Sequence, residues 1–310
     1  MVLIRQSRLW PCRARRQRTA ADNGRRGTQS NGNNTRRDKS AVAQTATARE
    51  TQTNQGDAFM SAKPKLAFFS LASCEGCQLQ VLNCEDEIVA LLGAVDLVNF
   101  REAIDDRRDD YDIAFIEGSV TRPEDEHEVK EIRERAKFIV AFGACATIGG
   151  VNAMKNFQPL ENVRKYVYGD KAQVFSTYAT RPVHDIIKVD AKLHGCPISK
   201  PEFLELCTCL LAGKEFKPKN YPVCVECKLA ENVCVFHKGM TCMGVITRAG
   251  CDPLCPSFGN KCIGCRGLID HPNVNAAFDV LDDAGVTLED AMKDFRMFNG
   301  CSDKVKEPGT

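Results

Sequence analysis

K-L-A-F-F-S-L-A-S-C-E-G-C-Q-L-Q-V-L, residues Lys65 to Leu82, is the stretch that decides the fold. Its first seven residues, Lys65 to Leu71, form a nearly continuous apolar run of strand length. Such a run suits a strand buried on both faces of a parallel sheet. From Gln78 onward, Leu79, Leu82, Ile88, Val89, Leu91 and Leu92 recur at helical spacing. That pattern predicts one helix from Gln78 to Leu92. The cysteine pair Cys74 and Cys77 lies between strand and helix.

The same alternation continues downstream. Tyr111 to Ile116 reads as a strand running into E-G-S-V, and a charged helix follows from Pro123 to Ala136. Proline is favourable at a helix start. The acidic run from Glu124 to Glu128 fits an exposed first turn, where carboxylates interact well with the helix dipole. Phe138 to Phe142 is a further strand, ending in G-A-C-A-T-I-G-G around Cys145. Strands alternating with helices indicate an α/β fold with a parallel sheet. Ligands of such sheets bind at the carboxyl ends of the strands. Cys74 and Cys145 both lie just past such ends, and Cys196, in H-G-C-P, follows a short apolar stretch. Cys74, Cys77, Cys145 and Cys196 are therefore expected to converge on one edge of the sheet.

Composition turns to Lys, Pro and Gly between Gly213 and Pro222, which marks a boundary. Beyond it regular periodicity is lost and eight cysteines appear: Cys224, Cys227, Cys234 and Cys242, then Cys251, Cys255, Cys262 and Cys265. Two C-x2-C pairs in so short a segment signal metal. Eight cysteines divide into two sets of four, the number of thiolates that commonly holds a cubane iron–sulfur cluster. Ligation also supplies the folding energy that a segment poor in regular structure lacks. Structural zinc shares the C-x2-C spacing. The Cys255-Pro256 dipeptide and the four dispersed upstream cysteines favour iron–sulfur. A short helical tail runs from Val274 to Phe298. Cys84, Cys207 and Cys209 lie in apolar helical patterns and read as core thiols; Cys12 falls in the leader, and Cys301 shows no evident partner.

The bulk numbers set outer limits. The 310 residues are 43% hydrophobic and 27% charged, enough apolar material for a buried core. A net charge of +1 supplies no field that would favour nucleic acid or a membrane surface. Residues 1–60 are strongly basic and poor in apolar runs, as for a disordered leader or an over-extended start ahead of Met60. Arg15-Arg16 has no apolar stretch after it, so it does not read as an export signal. No apolar run is long enough to cross a bilayer, and a cytoplasmic location is expected. In that reducing compartment 17 cysteines argue for metal or redox work rather than disulfides.

C-E-G-C, E-G-S, G-A-C-A-T-I-G-G and H-G-C-P, in this order, resemble the small subunit of nickel–iron hydrogenases. The segment from C-V-E-C-K-L-A-E-N-V-C through T-R-A-G-C-D-P-L-C-P-S-F-G-N-K-C-I-G-C-R-G is similar to the cytoplasmic branch of that family. That branch includes the sulfhydrogenase delta type and the gamma type of methanogen hydrogenases that do not reduce deazaflavin. The resemblance covers about Lys63 to Asn299. It implies a flavodoxin-like domain at 63–212, a small irregular two-cluster domain at 213–272 and a C-terminal helical tail at 273–310, after the leader at 1–62.

The resemblance also implies an oxidoreductase subunit with three 4Fe-4S clusters, the bond chemistry residing on a nickel–iron large subunit. Cys74, Cys77, Cys145 and Cys196 match the proximal ligands, with Glu117 and Gly118 matching an E-G element nearby. Cys224, Cys227, Cys234 and Cys242 match the distal set; Cys251, Cys255, Cys262 and Cys265 match the medial set. The membrane-bound branch has a His ligand where Cys224 stands and three medial cysteines where four stand here. Either Cys251 or Cys255 is the added ligand. The acceptor implied is a flavin/NAD(P) diaphorase or another iron–sulfur subunit. A 20-kDa-type subunit of respiratory complex I and a zinc-binding scaffold are the alternatives. The first has adjacent cysteines at the position where Glu75 and Gly76 separate Cys74 from Cys77. His237 reads as a surface or hydrogen-bonding residue, and Glu75 as a solvated turn residue. His194 stays open between packing and a hydrogen bond near the proximal site.

Overall fold

Among the residues described by this computed structural model, 63–302, five strands form one parallel sheet. The expectations for the leader and Cys12 lie outside those residues. The strands are β1 (Lys65–Ser70), β2 (Asp96–Asn99), β3 (Ile113–Glu117), β4 (Phe138–Phe142) and β5 (Ala191–Leu193). Their order is β2-β1-β3-β4-β5, the flavodoxin-like arrangement with its switch point between β1 and β3. Register runs Phe68 to Phe115 and on to Val140, so that Ser70, Glu117 and Phe142 end the three central strands level with one another.

Side chains alternate across the sheet and fill a layer on each face. On one face Leu66, Phe68, Phe115, Phe142 and Leu193 pack with Phe203 and Leu206 of the helix Lys200–Leu211. Rings stack there, Phe68 on Phe115 at 4.7 Å and Phe203 edge-on to Phe142 at 5.9 Å. On the other face Ala67, Ala114, Ile116, Ile139 and Ala141 pack with Val129 and Ile132 of the helix Pro123–Arg135. Both faces are covered, which is why the central strands lack polar residues until their ends.

The helix expected from Gln78 to Leu92 is two helices, α1 (Gly76–Leu82) and α2 (Asp86–Ala94). The break lies at Asn83–Glu85, where Glu85 takes φ of 49°. It lets Cys84 drop into the apolar layer beside Cys207, and the Lys200 ammonium donates to the carbonyl freed at Asn83. Burial of one thiol thus overrides the local periodicity. Val89 and Leu92, which carried that periodicity, are exposed. In chain order the remaining helices are α3 (Pro123–Arg135), α4 (Gly143–Ile148), α5 (Leu160–Tyr168), α6 (Lys200–Leu211), α7 (Val223–Leu229), α8 (Leu254–Ser257), α9 (Val274–Asp283) and α10 (Leu288–Asn299).

The cysteine-rich segment has only the short helices α7 and α8 and two 3-10 turns at Val235–Lys238 and Met243–Val245. Its apolar contacts are small: Met243 and Ile246 meet Ala277, Leu281, Met292 and Phe295 of the helical tail. Helix α10 then returns to the sheet domain, where the backbone of Gly300 passes so near Ala153 that a Cβ would stand 2.7 Å from the Ala153 carbonyl oxygen. No helix among the described residues is long and apolar enough to cross a membrane.

Candidate metal centres

Cys74 and Cys77 lie on the turn after β1 and the first turn of α1, Cys145 lies in α4 after β4, and Cys196 follows β5. The structure brings these four together. Cys145 lies in electrostatic range of Cys196 and Cys74, and Cys77 lies in range of Cys145. The approach is close. A Cβ at Gly143, whose φ is +86°, would overlap the Cys77 sulfur. One at Gly150 would stand 2.8 Å from the Cys145 sulfur. Glycine is therefore required in G-A-C-A-T-I-G-G both for backbone conformation and for space around sulfur.

Glu117 sets the pitch of this corner. Its carboxylate, buried at the end of β3, accepts from the Cys77 amide at 3.1 Å and the Gln78 amide at 3.2 Å. The Gln78 side-chain amide adds a third bond at 3.2 Å and also donates to the Ser70 hydroxyl at 2.8 Å. The first amides of α1 thus find an acceptor that the helix cannot supply. Burial raises the Glu117 pKa, and these donors oppose the rise. Glu75 stands in the left-handed region with φ of 60° and pairs with Arg101, so it is a partnered turn residue.

Cys224 lies in electrostatic range of Cys242, Cys227 and Cys234. Cys265 lies in range of Cys255, and both Cys251 and Cys262 lie in range of Cys265. Proximity also crosses between these groups, Cys227 with Cys251 and Cys242 with Cys255, so the eight downstream thiols form one continuous cluster. Backbone amides aim at the sulfurs: Gly244 and Cys262 at Cys242, Gly264 at Cys262, and Leu254 at Cys251. Burial pushes the thiols up, Cys145 and Cys224 to about 12 and Cys251 to about 11. A ligand that replaces the proton removes that burden, which is how metal binding couples to folding.

Hydrogen bonds to sulfur also link the cysteine-bearing stretches. The Cys262 amide donates to the Cys242 sulfur at 3.4 Å, and the Cys196 amide hydrogen-bonds Cys265. No three His, Cys, Asp or Glu side chains among the described residues close on a point that would hold one metal ion. Among the described residues no two cysteines are joined by a disulfide. Four thiols per set, glycine clearances at the sulfurs and amides aimed at them fit iron–sulfur clusters, which take four thiolates and are tuned by such hydrogen bonds.

Residues outside the cysteine pattern hold these sets in place. Arg266 is 1% exposed, and its guanidinium donates to the Glu202 carboxylate at 2.6 and 2.7 Å, to the Ala249 carbonyl at 2.9 Å and to the His194 carbonyl at 2.8 Å. It ties α6 and the Cys196 loop to the segment ending at Cys265. Glu226, between Cys224 and Cys227, is buried and accepts from the Gly250 amide at 3.0 Å and the Lys219 ammonium at 2.9 Å. Sequence reading missed both acids and the arginine. The local signal of Glu202 and Glu226 was charge within a buried helical stretch, and Arg266 lies in a turn outside any helix. His194 is buried, and its Nδ1 has no partner among the described residues. His237 is exposed. Cys301 is partnered: its thiol donates to the Thr180 carbonyl at 3.2 Å.

Comparison with known proteins places the chain among redox subunits. Residues 74–210 match the family described as NADH ubiquinone oxidoreductase, 20 Kd subunit. Sulfhydrogenase 2 subunit delta of Pyrococcus furiosus is 35% identical over 70% of this chain and 92% of its own length. A subunit of the vhu-type F420-non-reducing hydrogenase of Methanocaldococcus jannaschii is 32% identical over 71% of this chain and 88% of its own length. Among solved structures, a chain of a NAD+-reducing nickel–iron hydrogenase in the H2-reduced state is 29% identical, with a TM-score of 0.45 over 50% of this chain and 95% of that chain.

Proposed function

This chain belongs to the family of nickel–iron hydrogenase small subunits, and from that premise we propose that it holds three 4Fe-4S clusters and carries electrons between a nickel–iron large subunit and a downstream acceptor. The proposed proximal ligands are Cys74, Cys77, Cys145 and Cys196. The medial ligands are Cys251, Cys255, Cys262 and Cys265, and the distal ligands are Cys224, Cys227, Cys234 and Cys242. Each cluster, when bound, supplies a one-electron redox centre whose potential follows its burial and hydrogen bonding.

One observation carries the order: the amide of Cys196 meets Cys265, and the amide of Cys262 meets Cys242. These contacts support a path from proximal to medial to distal, although the distal ligands precede the medial ones along the chain. The chain's residues do no bond chemistry. They fix spacing and supply amide donors to sulfur. The exposed thiols Cys74 and Cys196 turn the first set toward the surface, the side suited to the large subunit. Cys234, also exposed, does the same for the distal set, beside the exposed side chains of Leu229 and Val233. A flavin/NAD(P) diaphorase or another iron–sulfur subunit is the acceptor class proposed there, and the cytoplasm is the proposed location.

Iron and acid-labile sulfide in anaerobically purified protein test the count. About 12 of each per chain is expected for three four-iron clusters; zinc without sulfide refutes it. The direction of flow is tested with Cys227→Ser. Hydrogen–deuterium exchange at the large subunit should persist while electron delivery to the acceptor falls. Loss of exchange in a correctly assembled complex would refute the assignment of Cys227 to the exit.

A further inference from the structure

A cavity of about 850 Å³ lies beyond the edge strand β5, and none of the twelve proposed cluster ligands lines it. Three parts of the chain meet there. The sheet domain contributes Ile148, Lys192 and His194; the linker and cysteine segment contribute Phe216, Arg248 and Leu268; the end of the described chain contributes Cys301 and Ser302. Junctions of this kind, with volumes of roughly 300–1,000 Å³, are where small-molecule sites occur.

Its polar lining sets Lys192, Lys217, Arg248 and two histidines against three aspartates. Two of its aspartates already answer arginines. Asp190 pairs with Arg133 at 2.7 Å and Asp270 with Arg248 at 2.6 Å, while Asp185 lies 3.6 Å from His184, whose pKa burial lowers, and in electrostatic range of Lys192. Lys192 forms no ion pair among the described residues, and burial pushes its pKa down, which Asp185 opposes. An anion beside it would relieve that desolvation. Arg248, 7% exposed, uses both terminal nitrogens on the Lys219 and Leu268 carbonyls, Asn220 and Asp270, while its Nε has no partner among the described residues. His194, also 7% exposed, keeps Nδ1 unpartnered. Buried polar atoms without partners in native proteins call for an explanation, a bound group being one. Ile148, Phe216 and Leu268 give the same cavity an apolar wall.

We propose that this cavity binds a phosphate-bearing small molecule of nucleotide size, its anionic group at Lys192, Arg248 and His194 and its apolar body against Ile148, Phe216 and Leu268. Inorganic phosphate shares the head-group chemistry but would leave most of the volume to water.

The test is titration calorimetry on the anaerobically purified complex containing the full chain, with inorganic phosphate and adenosine monophosphate as probes. Adenosine monophosphate should bind at least tenfold more tightly than phosphate. Lys192→Met should weaken it at least tenfold and Lys192→Glu should abolish it, each with native iron content and circular dichroism. Lys171→Met, at an exposed position outside the cavity, should leave it unchanged. Equal affinity for the two probes, no binding of either, or binding indifferent to Lys192→Met overturns the proposal. So does binding that emerges only when residues 303–310 are deleted, since the chain's own tail is then the occupant. These readouts are binding constants and do not depend on the number of clusters.

Discussion

Glu202→Gln isolates the contact that joins the sheet domain to the cysteine-rich segment. Arg266 is 1% exposed, and its one ion pair among the described residues is with Glu202, itself 5% exposed. The substitution keeps shape and one acceptor oxygen but leaves a buried guanidinium without its counter-charge. Breaking a buried pair from one side costs about 3–5 kcal/mol. For a folded unit of this size, 1 kcal/mol moves the melting temperature by roughly 2–4 °C, so a fall of about 6–20 °C is expected. Differential scanning calorimetry of the cluster-loaded protein at one fixed scan rate measures it. The double variant Glu202→Leu with Arg266→Met should recover most of the loss, because an apolar replacement of a buried pair is often neutral or stabilising. A single variant that melts within about 2 °C of the parent, less than 1 kcal/mol is worth, or a double variant no better than the single, would show that the pair does not hold the two parts together.

Three further outcomes follow from the same contacts. Gly143→Ala adds a Cβ that overlaps the Cys77 sulfur at a φ of +86°, so the protein should lose about four irons per chain and the proximal paramagnetic signal; a full iron complement would contradict the clearance argument. Glu117→Ala removes the acceptor of three donors at the start of α1. The urea midpoint should fall by an amount worth at least about 1–3 kcal/mol, the cost of one unsatisfied buried donor, with Glu117→Gln milder. Phe295→Ala empties a fully buried site stacked on Phe278 at 5.2 Å, beneath which Met243 and Ile246 pack. A loss of about 3–5 kcal/mol is expected, and a change below about 1 kcal/mol would mean that α10 does not support the cysteine segment.

Much of the sheet was legible because its signal is local. Long apolar strands such as Phe138 to Phe142 ended in glycine and cysteine, and α3 began at a proline with acids in its first turn. What was lost had weak or misleading local signals. Strand β5 is only three residues long and carries Lys192 at its centre. Strand β2, Asp96–Asn99, is as polar at its ends as a loop. The helix after Cys77 was read through Asn83 to Glu85 because periodicity cannot register that Cys84 has a buried place waiting beside α6. Cys301 looked unpartnered because its acceptor, Thr180, lies 121 residues away.

By itself the sequence determined the composition of the site: which residues are thiols, that four of them follow sheet strands, and that eight crowd one irregular segment. It determined the parallel α/β class too, since hydrophobic periodicity is a property of neighbouring residues. Only the tertiary structure decided what holds those thiols and what lies beside them. Arg266 finds Glu202 across 64 residues, Glu117 finds the amides of Cys77 and Gln78 across about 40, and the cavity at Lys192 forms where three distant stretches meet. Such pairings satisfy buried charge and buried donors, and the demand for a partner arises only once folding has removed water. No local pattern can name that partner.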